Sequence, residues 1–253
     1  MVRNPFHSAL SLRGIVPHIS GPHFPVMKKI LSLLIVLAAA LTARADSEAD
    51  RYRFIDRVET CEAILREFQA DPARAIPAEV LHNAKAIVIT TQFKLGLGLG
   101  LQEGYGTILV KKPDGKWSIP VVIRAGQASV GLQLGGTRLE SVYVIMNEQT
   151  PRLLFEGRFN IGVDAAAAFG PHDSEIEKSN QKLLNVPVLV YTNQKGVYAG
   201  ATVKSGYITR SDSINRAFYA VDYDLPELLY GNFVNPIPGY VRPIVEYVTQ
   251  LSP

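Results

Sequence analysis

The stretch that most restricts how this chain can fold is Phe93–Gly106, FKLGLGLGLQEGYG. Gly96, Gly98 and Gly100 alternate with Leu95, Leu97, Leu99 and Leu101, and in a strand a period of two sends the two sets to opposite faces. One face is then apolar and the other bare. Glycine inside a strand loses packing and backbone entropy, so several in register, with Gly104 and Gly106 following, imply a backbone, ring or ligand pressed against the bare face. A dinucleotide fingerprint is excluded, because G-x-G-x-x-G would need glycine at Leu101 or at Glu103, and no phosphate-loop lysine follows. We read the glycines as architectural, shaping a tightly coiled or closed sheet, with direct ligand contact as the alternative.

Upstream, the chain carries the marks of an export signal. From Met27 it reads MKKILSLLIVLAAALTARA: Lys28 and Lys29, an apolar run Ile30–Leu41, then Ala43-Arg44-Ala45 before Asp46. The run is short for a bilayer span. The expectation is an upstream extension plus signal peptide over residues 1–45, with the start at Met27, cleavage after Ala45 and a periplasmic product; a basic presequence is the alternative. Residues 1–45 hold five cations and no carboxylate, so the +3 of the whole chain becomes −2 over residues 46–253. That balance removes the electrostatic case for a nucleic-acid partner. The single cysteine, Cys61, excludes an intrachain disulfide.

Residues 46–253 suffice for one domain. A helix is predicted over Ser47–Ala70, since Phe54, Val58, Cys61, Leu65 and Phe68 recur at three- and four-residue steps while Arg51, Arg53, Arg57 and their charged neighbours fill the other faces. The stripe must lie on a sheet or a membrane surface, and the mixed charge of the polar face favours the sheet. A short helix follows Pro77. Strands are predicted at Ala86–Thr91, Phe93–Leu101, Tyr105–Lys111, Trp117–Arg124, Ala128–Gly135 and Ser141–Met146. Pro113-Asp114-Gly115 marks a hairpin turn inside Tyr105–Arg124. A short helix is expected from Thr150-Pro151 to Glu156, a strand over Phe159–Phe169, a hairpin from Val186–Thr192 to Gly196–Val203, and helices over Asp212–Tyr219 and Tyr240–Leu251. So few long helices between strands exclude a doubly wound fold. The fold class is α+β: an antiparallel, Gly-rich, barrel-like sheet with an N-terminal amphipathic helix and short peripheral helices.

In order along the chain stand Ile76-Pro77, Ala84-Lys85-Ala86-Ile87, the Gly-rich Phe93–Gly106, Asp114-Gly115-Lys116-Trp117-Ser118-Ile119-Pro120, Gly131-Leu132-Gln133-Leu134-Gly135, Gly162-Val163-Asp164, Gly170-Pro171, YTNQKGVYAG with Gly196 and Gly200, and Asn215-Arg216-Ala217-Phe218-Tyr219. This series resembles the SYLF family, also described as the Ysc-type actin-binding and lipid-binding domain, over about Ala75–Tyr219, with a C-terminal helical tail beyond it. The resemblance implies a β-rich domain that binds phospholipid, phosphoinositides in eukaryotic members, some of which also bind actin filaments, and export in bacterial members. Val121 stands where many members carry serine, Gly170-Pro171-His172 lacks the usual glycine and arginine, and Ala220 replaces a glycine. These departures touch headgroup preference rather than the fold.

Catalytic constellations are absent from the sequence: no nucleophile elbow, no H-E-x-x-H and no Cys-His pairing. His82 reads as a helical fold residue and His172, with Asp173, Glu175 and Glu177, as part of a solvated loop rather than a cation site. Asp164, beside Val163 and Ala165, is expected to be buried and held by a structural hydrogen bond to backbone, Arg124 or Arg138. No enzyme, cofactor or metal is expected. For lipid, a phosphate needs cations and N–H groups and an acyl chain needs an apolar slot. Lys94 flanks the glycine strand and Lys111, Lys112 and Lys116 crowd the hairpin tip, which makes these four the candidate lipid-binding residues. Trp117 and Tyr105 are core aromatics or interfacial anchors. Two readings stand: an exported phospholipid binder at a membrane surface, and a protein-interaction module engaging a partner through its Gly-rich edge or its segment Leu225–Pro253.

Overall fold

Helix α1, Pro25–Ala70, is the first element. The computed structural model describes residues 25–72, 74–95, 99–130, 137–170, 185–193 and 206–253. The chain divides into two units, Met1–Arg44 and Ala45–Pro253, and the second carries every strand described. Within it Phe54, Val58, Cys61, Leu65 and Phe68 of α1 are all buried, joined by Ile64. The Phe54 ring stacks on Phe218 with centroids 3.9 Å apart. Cys61 donates its thiol to the Ile89 carbonyl at 3.5 Å, and burial pushes that thiol up to about 12. The stripe therefore lies on the sheet.

Eight strands form one sheet: β1 (Ala86–Leu95), β2 (Leu99–Val110), β3 (Val121–Val130), β4 (Thr137–Ile145), β5 (Phe159–Asn160), β6 (Ala167–Phe169), β7 (Val188–Thr192) and β8 (Gly206–Arg210). Their order is β5-β8-β3-β2-β1-β4-β7-β6. All neighbours are antiparallel except β6 with β7. The two edge strands, β5 and β6, follow each other in the chain, and an Ile161–Ala165 bridge lies between them. A sheet whose opposite edges are joined by so few residues has to curl, which gives the barrel-like α+β architecture.

The glycine run is shared by two strands rather than forming one. β1 ends at Leu95, β2 begins at Leu99, and Leu95 pairs with Leu101. Gly96 and Gly98 lie outside the described residues, and Gly100 pairs with Ser129 in β2. The architectural reading holds at Gly104 and Gly106. A Cβ at Gly104 would strike the Thr91 carbonyl oxygen, and one at Gly106 would strike the Ile89 carbonyl oxygen and, at 2.8 Å, the Thr90 methyl. Adjacent strands approach there more closely than any side chain permits.

Three other strand expectations are corrected. Trp117–Pro120 precedes β3 instead of belonging to it: Trp117 bridges only Lys111, and Pro120 has no N–H to give the ladder. β3 runs unbroken to Val130, so Ala128 opens no new strand. Phe159–Phe169 is divided by a turn at Gly162–Asp164, where Gly162 takes φ +77°, accessible to glycine at no steric cost. The expected helix after Thr150 is a 3-10 turn, Thr150–Phe155.

The hairpin turn is as predicted. Lys112 N–H bonds Lys116 O at 2.8 Å, and Lys116 N–H bonds the Asp114 carboxylate at 3.0 Å. Helix α2 (Ala78–His82) precedes the sheet, and α3 (Asp212–Tyr219), α4 (Leu225–Tyr230) and α5 (Arg242–Leu251) follow it. α4 was not anticipated, although Asp224-Leu225-Pro226-Glu227 writes its start: the Glu227 carboxylate accepts the Asp224 N–H at 3.1 Å. Leu225, Leu228, Leu229, Ile244 and Val248 are all buried. These five residues of the C-terminal segment belong to the core, whereas Phe233 and Tyr240 of the same segment are exposed.

Candidate functional site

Asn215 and Tyr219, four residues apart, share one face of α3 and grip the start of β3. Asn215 accepts the Val122 N–H at 2.8 Å and donates to the Val122 carbonyl at 2.8 Å, so its amide acts as a one-residue strand partner. A third bond runs to Ser211 O at 2.9 Å. Tyr219 donates its hydroxyl to Pro120 O at 2.6 Å, and burial raises that phenol well above its ordinary value. Both residues, with Pro120, are architectural.

The lysines of the hairpin tip separate into different roles. Lys111 donates to Pro253 O at 2.6 Å, next to a bond of 2.8 Å from the Trp117 indole to Ser252 O. Lys111 and the buried Trp117 therefore anchor the C-terminal residues, and the interfacial-anchor alternative for Trp117 is set aside. Lys112 donates to the Asn232 side chain at 2.6 Å, and Lys116 is exposed. Lys112 and Lys116 stand on the rim of a groove of about 380 Å³ whose apolar lining includes Trp117, Ile119, Leu228, Phe233, Val234 and Ile237. Asp114 and Glu227 line it too. Phe233 is 57% exposed, so an aromatic surface lies beside the cations. The Lys94 side chain lies outside the described residues.

A second set of clefts opens between α1, β2, β3 and β8. One, of about 380 Å³, is lined by Arg57, Glu103, Gly104, Tyr105, Arg124, Ala125, Tyr207 and Thr209. The other, of about 480 Å³, shares Arg57 and Arg124 and adds Asp50, Arg53, Arg210, Asp212 and neighbouring residues. Tyr105, Arg124 and Thr209 occupy one row across three strands by register. The Arg57 guanidinium lies 4.9 Å over the Tyr105 ring. Burial lowers its pKa, and the like charges of Arg124 and Arg53 push the same way, against the opposing pull of Tyr105 and Asp50.

Arginine pairing differs sharply across this region. Arg53 bonds Asp50 at 2.9 Å, and Arg210 meets Asp212 at 2.9 Å and Asp224 at 3.4 Å. Arg57 and Arg124 take part in no ion pair among the described residues. Arg124 and Arg138, the two arginines considered as partners for a buried Asp164, are both exposed at the surface. Arg138 meets Glu140 at 2.9 Å and Thr91 at 3.0 Å. Long guanidinium side chains on strands reach solvent over their neighbours, which is cheaper than burying the charge.

Asp164 is also exposed, contrary to the expectation of burial. Its carboxylate accepts the Asn160 N–H at 2.6 Å and the Asn160 side-chain amide at 3.1 Å, closing the turn between β5 and β6. The expected backbone hydrogen bond is present, while neither arginine is its partner. Gly170 lies against the Tyr191 ring, where a Cβ would clash. Pro171, Gly196, Gly200 and His172 lie outside the described residues. Among the described residues no group of three or more His, Cys, Asp or Glu is placed to hold a metal, and no helix is long and apolar enough to cross a membrane.

Sequence reasoning missed the Arg57–Arg124 juxtaposition and the 231–237 wall of the lysine groove. The hairpin held part of the signal, because a turn at Pro113-Asp114-Gly115 brings Tyr105 opposite Arg124.

A curled antiparallel sheet with α1 packed on it and α3 clamping β3 defines an α+β half-barrel domain. The family model described as "Ysc84: Las17-binding protein actin regulator" matches residues 126–251, and the chain belongs to this SYLF (Ysc84) family. SH3 domain-containing YSC84-like protein 1 of Homo sapiens is 27% identical over 196 residues, covering 75% of this chain and 56% of that protein. The Bos taurus protein of the same name is 28% identical over 180 residues, covering 68% and 52%. Protein YSC84 of Saccharomyces cerevisiae is 28% identical over 172 residues, covering 67% and 36%. The chain spans about half the length of the mammalian relatives it matches. No solved structure matches it.

Proposed function

We propose that this chain is an exported, non-enzymatic binder of anionic phospholipid, working at a membrane surface in the periplasm. The observation that carries the reading is the groove beside the hairpin tip. Lys112 and Lys116 stand over an apolar lining that ends in the exposed Phe233. A cationic rim over an apolar slot is the arrangement an amphiphile requires: charge for the headgroup, apolar surface for the first carbons of a chain. A volume of about 380 Å³ accommodates a headgroup and a short stretch of acyl chain, not a whole lipid. The rest of the lipid would stay in its membrane, so the protein docks on a bilayer without extracting from it.

A protein-interaction role is the second reading, and the family description favours it, since that description names binding to Las17 and regulation of actin. Co-sedimentation with vesicles separates the two. The full chain is expected to pellet with phosphatidylcholine vesicles containing phosphatidic acid, less with phosphatidylcholine alone, and less as salt rises. With each cation near an anionic surface contributing about 1 kcal/mol, the double variant Lys112→Glu, Lys116→Glu should bind at least about tenfold more weakly. Absence of binding to any anionic vesicle would leave the protein-partner reading in its place.

A further inference from the structure

We propose that the cleft between Arg57 and Arg124 is a binding site for a phosphate-type anion, separate from the lysine-rimmed groove, with which it shares no lining residue. Three observations converge. The Arg57 Nη1 is buried with no hydrogen-bond partner. Arg124, the other guanidinium common to both clefts, also takes part in no ion pair among the described residues. Their neighbours Arg53 and Arg210 are matched by Asp50, Asp212 and Asp224, whereas no carboxylate among the described residues is bonded to the two guanidiniums that the clefts share.

A half-buried guanidinium beside a like charge is unfavourable for folding alone, and the donors of its buried Nη1 are left unused. An anion placed between Arg57 and Arg124 reverses both effects: it neutralises the repulsion and accepts the idle N–H groups. Guanidinium geometry suits phosphate, whose oxygens can take two parallel N–H bonds. The hydroxyls of Thr209 and Ser213, in the cleft linings, are further donors for such a ligand. Glu103 and Asp212 also line the clefts and repel an extended polyanion, so the ligand is a compact one, a single phosphate group. That group can belong to a lipid headgroup or to a soluble phosphate ester.

Thermal denaturation of the full chain in inorganic phosphate, against chloride at equal ionic strength, tests the site without assuming a lipid. The wild type should melt higher in phosphate. Arg57→Gln and Arg124→Gln should each bind phosphate at least about tenfold more weakly and lose most of that rise. In chloride, Arg57→Gln should be no less stable than wild type, because an unmatched charge has gone. If Arg57→Gln does not fold, Arg124→Gln, altered at an exposed side chain, carries the test. Equal melting of the wild type in both salts, or an undiminished phosphate response in Arg124→Gln, would overturn the proposal. Vesicles distinguish the source: weaker binding of Arg124→Gln to phosphatidic-acid vesicles assigns a lipid phosphate, and unchanged vesicle binding with a lost phosphate response assigns a soluble one. The Lys112→Glu, Lys116→Glu variant should keep the phosphate response even where it no longer binds vesicles, so the two sites can fail independently.

Discussion

Two polar regions flank β3, and they are built on opposite terms. Where α3 meets the start of β3, Asn215 and Tyr219 satisfy Val122 and Pro120 with four hydrogen bonds in all, counting the one to Ser211. Two residues beyond Val122, Arg124 faces Arg57 across a cleft with no carboxylate bonded to either. The first region is closed and each polar group has its partner; the second is open and leaves charge unmatched. A fold can tolerate such a mismatch only where other interactions stabilise it, and mismatches of this kind gather where a protein meets a ligand. The contrast separates residues that hold the domain together from residues available for binding.

The largest effect should come from breaking the closed region. Asn215→Leu keeps the branching at Cγ with a somewhat larger side chain but leaves the buried Val122 N–H and carbonyl without partners, at about 1–3 kcal/mol for each group. Chemical denaturation should show a loss of about 2–5 kcal/mol, a large share of a domain's stability. A loss below about 1 kcal/mol would mean that the clamp is not what fixes β3, and the contrast with the cleft would lose its first term. A smaller change of opposite sign should follow at the end of the same helix. Ala220 adopts φ 54°, ψ 40°, a left-handed conformation that costs an L-residue roughly 1–2 kcal/mol. Ala220→Gly relieves that strain while adding freedom to the unfolded chain, so the net gain should be up to about 1 kcal/mol, read as a modest rise in melting temperature.

How much of this was legible in the sequence follows from how local each signal is. The apolar stripe from Phe54 to Phe68 depends on spacing within one helix, and it is buried as written. The Asp114-Gly115 turn and α3 are local in the same way, and both form at the predicted residues. Asn215 and Tyr219 were legible as a motif, but their purpose was not, because Val122 and Pro120 lie some 90 or more residues away in the chain, with separations of 93 and 99. Asp164 misled for a physical reason: neighbours Val163 and Ala165 suggest a buried strand, whereas the φ of Gly162 turns the chain and carries Asp164 into solvent. Arg57 reads as an ordinary charged residue on a helix surface. Only when α1 lies across β2 does it sit over Tyr105 and beside Arg124, and no pattern within a single element contains that information.

Lysines taught the same lesson from the other side. Lys111, Lys112 and Lys116 looked alike as a cluster, yet Lys111 is committed to the chain's own C-terminal residues while Lys112 and Lys116 rim an apolar groove. Proximity in sequence gave the place, and long-range packing gave the roles.

Hydrogen–deuterium exchange of the full chain, with and without phosphatidic-acid vesicles, tests most directly whether the lysine-rimmed groove is where this domain meets lipid. Protection should increase at residues 112–117 and 231–237, the two walls of the lysine groove, while residues 215–219 of the closed region exchange as before. Exchange unchanged on both walls in the presence of vesicles that bind the protein would contradict the account.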